Sequence, residues 1–370
     1  MLRLATFNVE NLFELPCAMA LETWEEGQPA IDAAHELNTL FEHSTYSSDD
    51  KQRMLELLEA QGLLATRPNN PYLELQKIRG QLFVCPTHGA PSIVADGRDS
   101  WVGWVELKKQ PIDDQATVNT ARVIAEVNAD VLVLVEVEDR IALQRFHDAF
   151  VAPELEKLGH EPYPYNMVID GNDPRGIDVG ILSRKPLTRM QTHLTDTIGG
   201  KKIFSRDCPE YYVSIGDGKD SLVVLPNHFS SKGSDKTGKR RAVQAQRVRE
   251  IYDSLRAAGH DFVVVAGDFN DFPGSGALDA LLKHTDLTDA MLTDKYHGAF
   301  PGTYQRGTEK DKIDYLLLSP DLTARLTAVD VNRHGFYAPT KWKSFDNINA
   351  RTKNRFQASD HHCVWADIDI

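Results

Sequence analysis

Six separated stretches of the chain carry the same device, a short apolar run bounded by an acid, an amide or an imidazole. They are Asn8 after LATF, Glu136 in VLVLVEVE, His228 in VVLPNHFSSKG, Asp268 with Asn270 in VVVAGDFND, Asp314 in KIDYLLLS, and Asp360 with His361 in QASDHHCVW. A strand alternates its side chains between two faces, so Asp268 and Asn270 point one way at the end of their run while Phe269 points the other. One such terminus says little, because Gly, Asp and Asn also turn chains. A series of them restricts the fold, since in sheet-based α/β proteins ligand groups collect where strands end and loops begin.

The surrounding text supports helices alternating with buried strands. VNTARVIAEVNADVLVLVEVEDR, residues 118–140, reads as an amphipathic helix, a short polar break and a strand buried on both faces. Further strands are predicted at 179–182, 221–225, 262–265, 313–318 and 364–368, with the clearest helix at 239–258. Between Glu14 and about Gln110 the style changes. SSDDKQRMLELLEA reads as an acidic helix with Ser48 as N-cap, TRPNNP is a break, and QLFVC and SWVGWVELKK are strand-like. We read residues 15–110 as an insertion or lid carried by a single domain spanning 1–370. Periodicity alone fits a sandwich and a doubly wound parallel sheet equally well.

Composition sets outer bounds. A chain of 370 residues with 41% hydrophobic content can bury one large core. No apolar run approaches the ~18 residues of a membrane span, and Met1 to Glu10 reads as a core strand rather than an export signal, so a cytoplasmic protein is expected. The four cysteines, Cys17, Cys85, Cys208 and Cys363, have no paired spacing. That argues against a zinc site or a disulfide framework and for reduced thiols. The net charge of −13 opposes long-range attraction to polyanions, although a net value hides local patches.

The motifs TFNVENLF, ADVLVLVEVE, NHFSSKG, GDFND, KIDYLLLS and SDHH, in this order, resemble the endonuclease/exonuclease/phosphatase superfamily. The resemblance covers residues 1–14 and about 118–370. It implies a deoxyribonuclease I-like four-layer α/β/β/α sandwich of two mainly antiparallel sheets, with a divalent-metal phosphodiester site at one edge.

Such chemistry needs a nucleophilic water, neutralisation of charge on the phosphoryl oxygens and help for the leaving oxygen. Hard ions such as Mg²⁺ or Mn²⁺ take oxygen ligands, which suits an oxygen-rich cluster without cysteine. Strand period leaves Glu136 and Glu138 equivalent; the resemblance selects Glu136 as metal ligand, with Asn8 in or beside the coordination shell and Asp360 completing it. Glu10 and Asn11 share a similar ambiguity beside Asn8 and stay outside the core set.

The family pairing implies a dyad of His361 with Asp314, in which His361 orients or deprotonates the water or stabilises the pentacovalent phosphate. Asp268 would position or activate water, Asn270 would donate to a phosphoryl oxygen, and His228 would bond the phosphate or leaving group. Arg175 can fork onto phosphate and Asp178 can orient His228, or the two can simply pair with each other.

Two basic stretches interrupt the acidic whole: residues 232–249 after His228, with Lys232 beginning the run, and residues 333–355 before Asp360, where Phe336, Tyr337, Trp342 and Phe356 are interleaved. Charge with aromatics beside an active site suits a nucleic-acid backbone and its bases; a solvated helix face accounts equally for the first stretch. Lys232 and Trp342 are the substrate-binding candidates drawn from them. The expected function is a metal-dependent nuclease on DNA or RNA. The alternative is a phosphodiesterase or phosphatase for a small substrate such as a nucleotide, an inositol phosphate or a phospholipid head group.

Overall fold

The computed structural model describes residues 1–12, 24–64, 70–87, 89–108, 114–173, 176–216 and 221–370. Arg175 and Cys17 lie outside them. The chain divides into two compact units, Met1–Phe13 with Ile112–Ile370, and Glu14–Pro111.

The larger unit contains β1 (Leu2–Leu12), β2 (Val131–Val137), β3 (Tyr165–Val168), β4 (Asp178–Ser183), β5 (Leu187–Gln191) and β6 (Glu210–Ser214). It continues with β7 (Ser221–His228), β8 (Val263–Asp268), β9 (Thr288–Asp289), β10 (Asp314–Leu318), β11 (Leu326–Asn332) and β12 (Cys363–Ile368). Two six-stranded sheets result, ordered β11-β12-β1-β2-β4-β3 and β9-β10-β8-β7-β6-β5. Each has one parallel pair at its centre, β1 with β2 and β7 with β8, and antiparallel neighbours elsewhere. That pattern excludes the doubly wound parallel sheet and gives the expected mainly antiparallel sandwich.

Period two explains the layers. Leu4, Val133, Val135, Val224, Val264 and Leu316 form the core between the sheets. The residues one step out of phase, such as Phe7, Leu132 and Leu134, pack on the helix α1 (Asp114–Val127) through Ala121 and Ile124. On the far side Val223, Leu225, Val263 and Val265 pack on α2 (Lys239–Ala257) through Ala245, Val248 and Ile251. Helix, sheet, sheet, helix is therefore the order of layers.

The connectivity places the site. Parallel strands β1, β2, β7 and β8 all end at one edge of their sheets, and their antiparallel neighbours β10 and β12 begin there. Asn8, Glu136, His228, Asp268, Asp314 and His361 belong to those ends.

Several strands were not singled out from sequence. The edge strand β5 is mostly solvated and β11 only partly buried, so neither shows a sustained apolar run. The smaller unit has helices Trp24–Phe41 and Ser48–Ala60 and an antiparallel hairpin of Leu73–Gly80 with Trp101–Leu107. Leu37, Phe41, Met54, Leu58, Leu73 and Trp101 form its core. Its second helix is capped by Ser47 rather than the expected Ser48. The Ser47 hydroxyl accepts from the Asp50 amide at 3.1 Å while the Asp50 carboxylate accepts from the Ser47 amide at 2.9 Å, a reciprocal capping box. Among the described residues no helix is long and apolar enough to cross a membrane, and Cys85, Cys208 and Cys363 are free thiols.

Candidate active site

The same-face series Leu2, Leu4, Thr6, Asn8 begins as intersheet core and ends at the site, and so do Leu222, Val224, Pro226, His228 and Val264, Ala266, Asp268. Register then does the alignment. His228 stands opposite Asp268, and Asp268 opposite Asp314. The residue after each of these points the other way. Phe229, Phe269 and Tyr315 stack in sequence beneath the sheet, with centroids 4.8 and 4.7 Å apart, and lock the three strand ends against α2. Gly267 permits the close approach of β7: its φ is +131°, and a Cβ there would lie 2.0 Å from the Asn227 carbonyl oxygen.

Two local distortions aim the remaining acids. Glu136 sits in a bulge between Val135 and Val137 with φ +66°. As the inserted residue it leaves Val137 on the outer face with Leu132 and Leu134, so the period that made Glu136 and Glu138 equivalent fails at that point. A non-glycine residue held there costs on the order of 1–3 kcal/mol and marks a positioned side chain. The register of β1 also shifts between Asn8 and Leu12, and Glu10 has φ +46°.

Asn8 lies at the centre. Its amide nitrogen is 3.2 Å from Glu136 Oε1, 3.2 Å from Asp268 Oδ2 and 3.4 Å from His361 Nε2, while its oxygen accepts from the Glu10 amide at 3.0 Å. His361 Nδ1 meets both Asp314 oxygens, at 3.1 and 3.0 Å. Nε2 therefore faces the site, 3.9 Å from Asp268 and 3.7 Å from Asp360. His228 Nε2 approaches Asp268 at 3.7 Å and Glu136 at 3.9 Å. Asn270, at φ +51°, donates its side-chain amide to Asp268 Oδ2 at 3.1 Å and to the Phe229 carbonyl at 3.1 Å.

Two buried hydroxyls hold the dyad. The Thr303 hydroxyl donates to Asp314 Oδ2 at 2.6 Å and accepts from the Asp314 amide at 3.0 Å. Ser359 donates to the Asn8 carbonyl at 2.7 Å and accepts from the His361 amide at 3.0 Å, tying β1 to the segment that carries His361.

The charges are crowded. Burial, then repulsion by Asp314 and Glu136 against the opposing pull of His361, raises the Asp268 carboxyl to about 7. Desolvation and the neighbouring Asp360 raise Glu10 to about 7 as well, and burial raises Asp360. Burial works against a charge on His361, yet Asp314, Asp268 and Asp360 together raise its pKa well above the usual imidazole value. Carboxylates that resist ionisation for want of a counter-charge, with no thiolate among them, are the donor set that a hard divalent cation fits.

Asp268, Asp314 and His361 offer one atom each within 4.8 Å of one another. Both Asp314 oxygens and His361 Nδ1 are already engaged with each other, which leaves His361 Nε2 and Asp268 to face the site. Glu136, Asp360 and Asn8, the set expected to hold a metal, adjoin this trio from the β2, β12 and β1 side.

Glu10 and Tyr304 extend the expected set. Glu10 accepts from the Asp360 amide at 2.7 Å. Tyr304 packs edge-on against His361 with centroids 4.9 Å apart and hydrogen-bonds the Asp360 carboxylate. The bulged backbone hid Glu10, and Tyr304 lies on a two-residue bridge to His361 that no period announces.

Asp178 is buried, accepts from the Gly171 amide at 2.9 Å and lies in the field of Asp170, Asp173 and Arg206; burial raises its carboxyl to about 7. Trp342 donates to the Phe336 carbonyl at 3.1 Å and packs edge-on against His362, next in sequence to His361. Lys232 stands 3.9 Å from Asp271, beside Asn270. The basic stretches are partly structural. Arg241 is buried on Asp271 at 2.9 Å, Arg247 pairs with Asp196 at 2.7 Å, and Arg333 is buried on the Phe300 and Gly302 carbonyls.

Solved structures similar to this chain include a mannosyl-6-phosphatase from Bacteroides thetaiotaomicron, at 17% identity over 70% of this chain and 91% of that one, with a TM-score of 0.49. The catalytic domain of human Nocturnin is similar at 16% identity over 69% and 86%, with a TM-score of 0.47. TDP2 from Caenorhabditis elegans is similar at 17% over 68% and 67%, with a TM-score of 0.44. No curated protein matches the sequence. Residues 112–361 match the Endonuclease/Exonuclease/phosphatase family, a group named for the hydrolysis of phosphoric esters, and the chain belongs to that family.

Proposed function

We propose that this edge hydrolyses phosphodiesters with a divalent metal, and that the substrate is DNA or RNA. The observation that supports the reading best is the Asp314–His361 pair, whose second nitrogen, Nε2, is turned toward Asp268 and Asp360 beside the ends of the central strands. A carboxyl near 7, as Asp268 has, suits a general base at neutral pH. Asp268 takes a proton from the attacking water as its oxygen bonds to phosphorus. His361, charged by its carboxylate neighbours, donates from Nε2 to a phosphoryl oxygen rather than accepting a proton. Asn270, whose amide hydrogens bond Asp268 and the Phe229 carbonyl, would turn the one on Asp268 to another phosphoryl oxygen as that carboxyl takes its proton, and His228 hydrogen-bonds the leaving oxygen as the old P–O bond breaks. Glu136 and Asp360 would hold Mg²⁺ or Mn²⁺, which when bound neutralises charge on the phosphoryl group. Asn8, expected in or beside the coordination shell, turns its NH₂ to Glu136 and its oxygen to the Glu10 amide, and so stands beside the ion and orients Glu136 rather than ligating.

Arg175, Asp178, Lys232 and Trp342 are proposed as substrate contacts, and residues 15–110 as an accessory insertion in one hydrolase domain. Free thiols suit the reducing cytoplasm. The small-substrate alternative keeps the same chemistry and differs only in what binds beside it. The test is cleavage of supercoiled plasmid and of bis-p-nitrophenyl phosphate with Mg²⁺, with Mn²⁺ and with EDTA. Metal-dependent nicking supports the nuclease; turnover of the small diester alone supports the alternative; silence on both with every metal sinks the diesterase reading.

A further inference from the structure

The structure separates cations that build the fold from cations left over. Behind His228 the chain runs through a loop, residues 229–238, into α2. Buried Arg241 staples that loop: its amide donates to Asp235 at 2.9 Å, Nε to Asp271 at 2.9 Å, and Nη1 to the Ser230 carbonyl at 3.1 Å. Asp271 follows Asn270 directly, so the loop is fixed to the turn that carries a candidate phosphoryl contact. Gly238, at φ +72°, packs where its Cβ would meet Ala277 at 3.3 Å, on the same flank.

Lys236, Lys239 and Arg240 project from this stapled segment. All three are exposed, and among the described residues no carboxylate pairs with them. Lys232 at the start of the loop is half-exposed and only 3.9 Å from Asp271. Arg247 and Arg249, further along α2, are instead paired with Asp196 and Asp253. These exposed cations make a local basic patch in a protein whose net charge is −13, a patch complementary to a polyanion.

We infer that Lys236, Lys239 and Arg240 form a basic arm that binds backbone phosphates flanking the scissile one, so that the substrate is a polynucleotide and not a small ester. The inference rests on the phosphodiesterase reading above, because the catalytic edge engages one phosphate and these cations engage its neighbours. Charge is read through the phosphates rather than the bases, so binding is salt-dependent and indifferent to sequence.

The experiment is fluorescence anisotropy of a labelled single strand of about 20 nucleotides with the full chain in EDTA, at roughly 50 to 200 mM salt, for the wild type and for K236S/K239S/R240S. The arm predicts affinity at least about tenfold weaker in the triple variant and a salt slope shallower by about 2 to 3. A thermal melt confirms folding, and K236E alone provides a second variant that weakens binding in the same direction. Equal affinity and slope in wild type and variants overturn the arm. So does binding to vesicles of anionic lipid with no binding to the oligonucleotide. Metal-dependent cleavage of plasmid or of bis-p-nitrophenyl phosphate by the wild type separates the two readings: cleavage with arm-independent binding sinks the arm alone, whereas arm-dependent binding without cleavage of either keeps the arm and sinks the hydrolase.

Discussion

Asp314→Asn removes a charge and keeps a shape. Asp314 is 1% exposed, and its oxygens lie 3.0 and 3.1 Å from His361 Nδ1. Thr303 donates its hydroxyl to Oδ2, so an asparagine there keeps its oxygen on Thr303 and turns its NH₂ toward His361. Nδ1 must then accept. The proton of the neutral ring moves to Nε2, and the imidazolium loses its strongest partner. An adjacent opposite charge is worth about 1–3 pKa units, or roughly 1.4–4 kcal/mol. The neutral ring still donates from Nε2 but without its positive charge, so we expect kcat on bis-p-nitrophenyl phosphate to fall by about 10 to 10³, the rate equivalent of that loss. KM should change little, since the substituted group does not reach the substrate. Thr303→Val, which leaves Asp314 in place without its hydroxyl donor, should lose less, and Thr303→Ser should recover most of it. The assay is kcat and KM from pH 5 to 9, with folding checked by thermal melt. A folded Asp314→Asn enzyme within about fivefold of wild type would refute the dyad.

Glu136→Gln should abolish a rise of a few degrees in melting temperature that saturating Mg²⁺ gives the wild type, read by calorimetry; the same rise in the variant would show that the ion binds elsewhere. Arg241→Met leaves buried Asp235 and Asp271 without their cation and should cost about 3–5 kcal/mol in urea denaturation, a loss under about 1 kcal/mol being the contrary result. His193 offers a pH test away from the active site. It is buried with Nε2 3.0 Å from Glu210 and Nδ1 3.1 Å from Asp196; Arg247 also binds Asp196, Tyr212 donates to Glu210, and Asp207 accepts from the His193 amide. Burial opposes its charge, but the two carboxylates raise its pKa. Its stabilising effect is complete below the unfolded imidazole value near 6.5 and is lost as pH climbs through the raised folded value. Wild-type stability should therefore fall on the alkaline side of about 6.5, and His193→Gln should flatten that decline; parallel curves would contradict it.

Much of the site can be read from strand period. The alternation that buries Leu2, Leu4, Val264 and Ala266 also carries Asn8 and Asp268 to the end of the same face. The dipeptides His228-Phe229, Asp268-Phe269 and Asp314-Tyr315 are a further signal, a polar group for one face and an aromatic anchor for the other. Glu136 resisted this reading because its bulge breaks the period, and Glu10 because β1 shifts register beside it. Arg241 and Arg333 belong to basic stretches that in sequence suit a nucleic-acid backbone or, for the first, a solvated helix face, yet long side chains at such positions reach buried carboxylates and carbonyls, which only tertiary packing supplies. The solvated edge strands were faint for a simpler reason, the lack of a second buried face.

The most direct test of the central claim is kcat/KM for bis-p-nitrophenyl phosphate with Mg²⁺, compared between wild type and a folded Asp268→Asn variant. If the converged strand ends are the hydrolytic site, the wild type turns over, EDTA stops it, and the variant loses about 10² or more. Equal turnover in the two proteins would place the chemistry elsewhere.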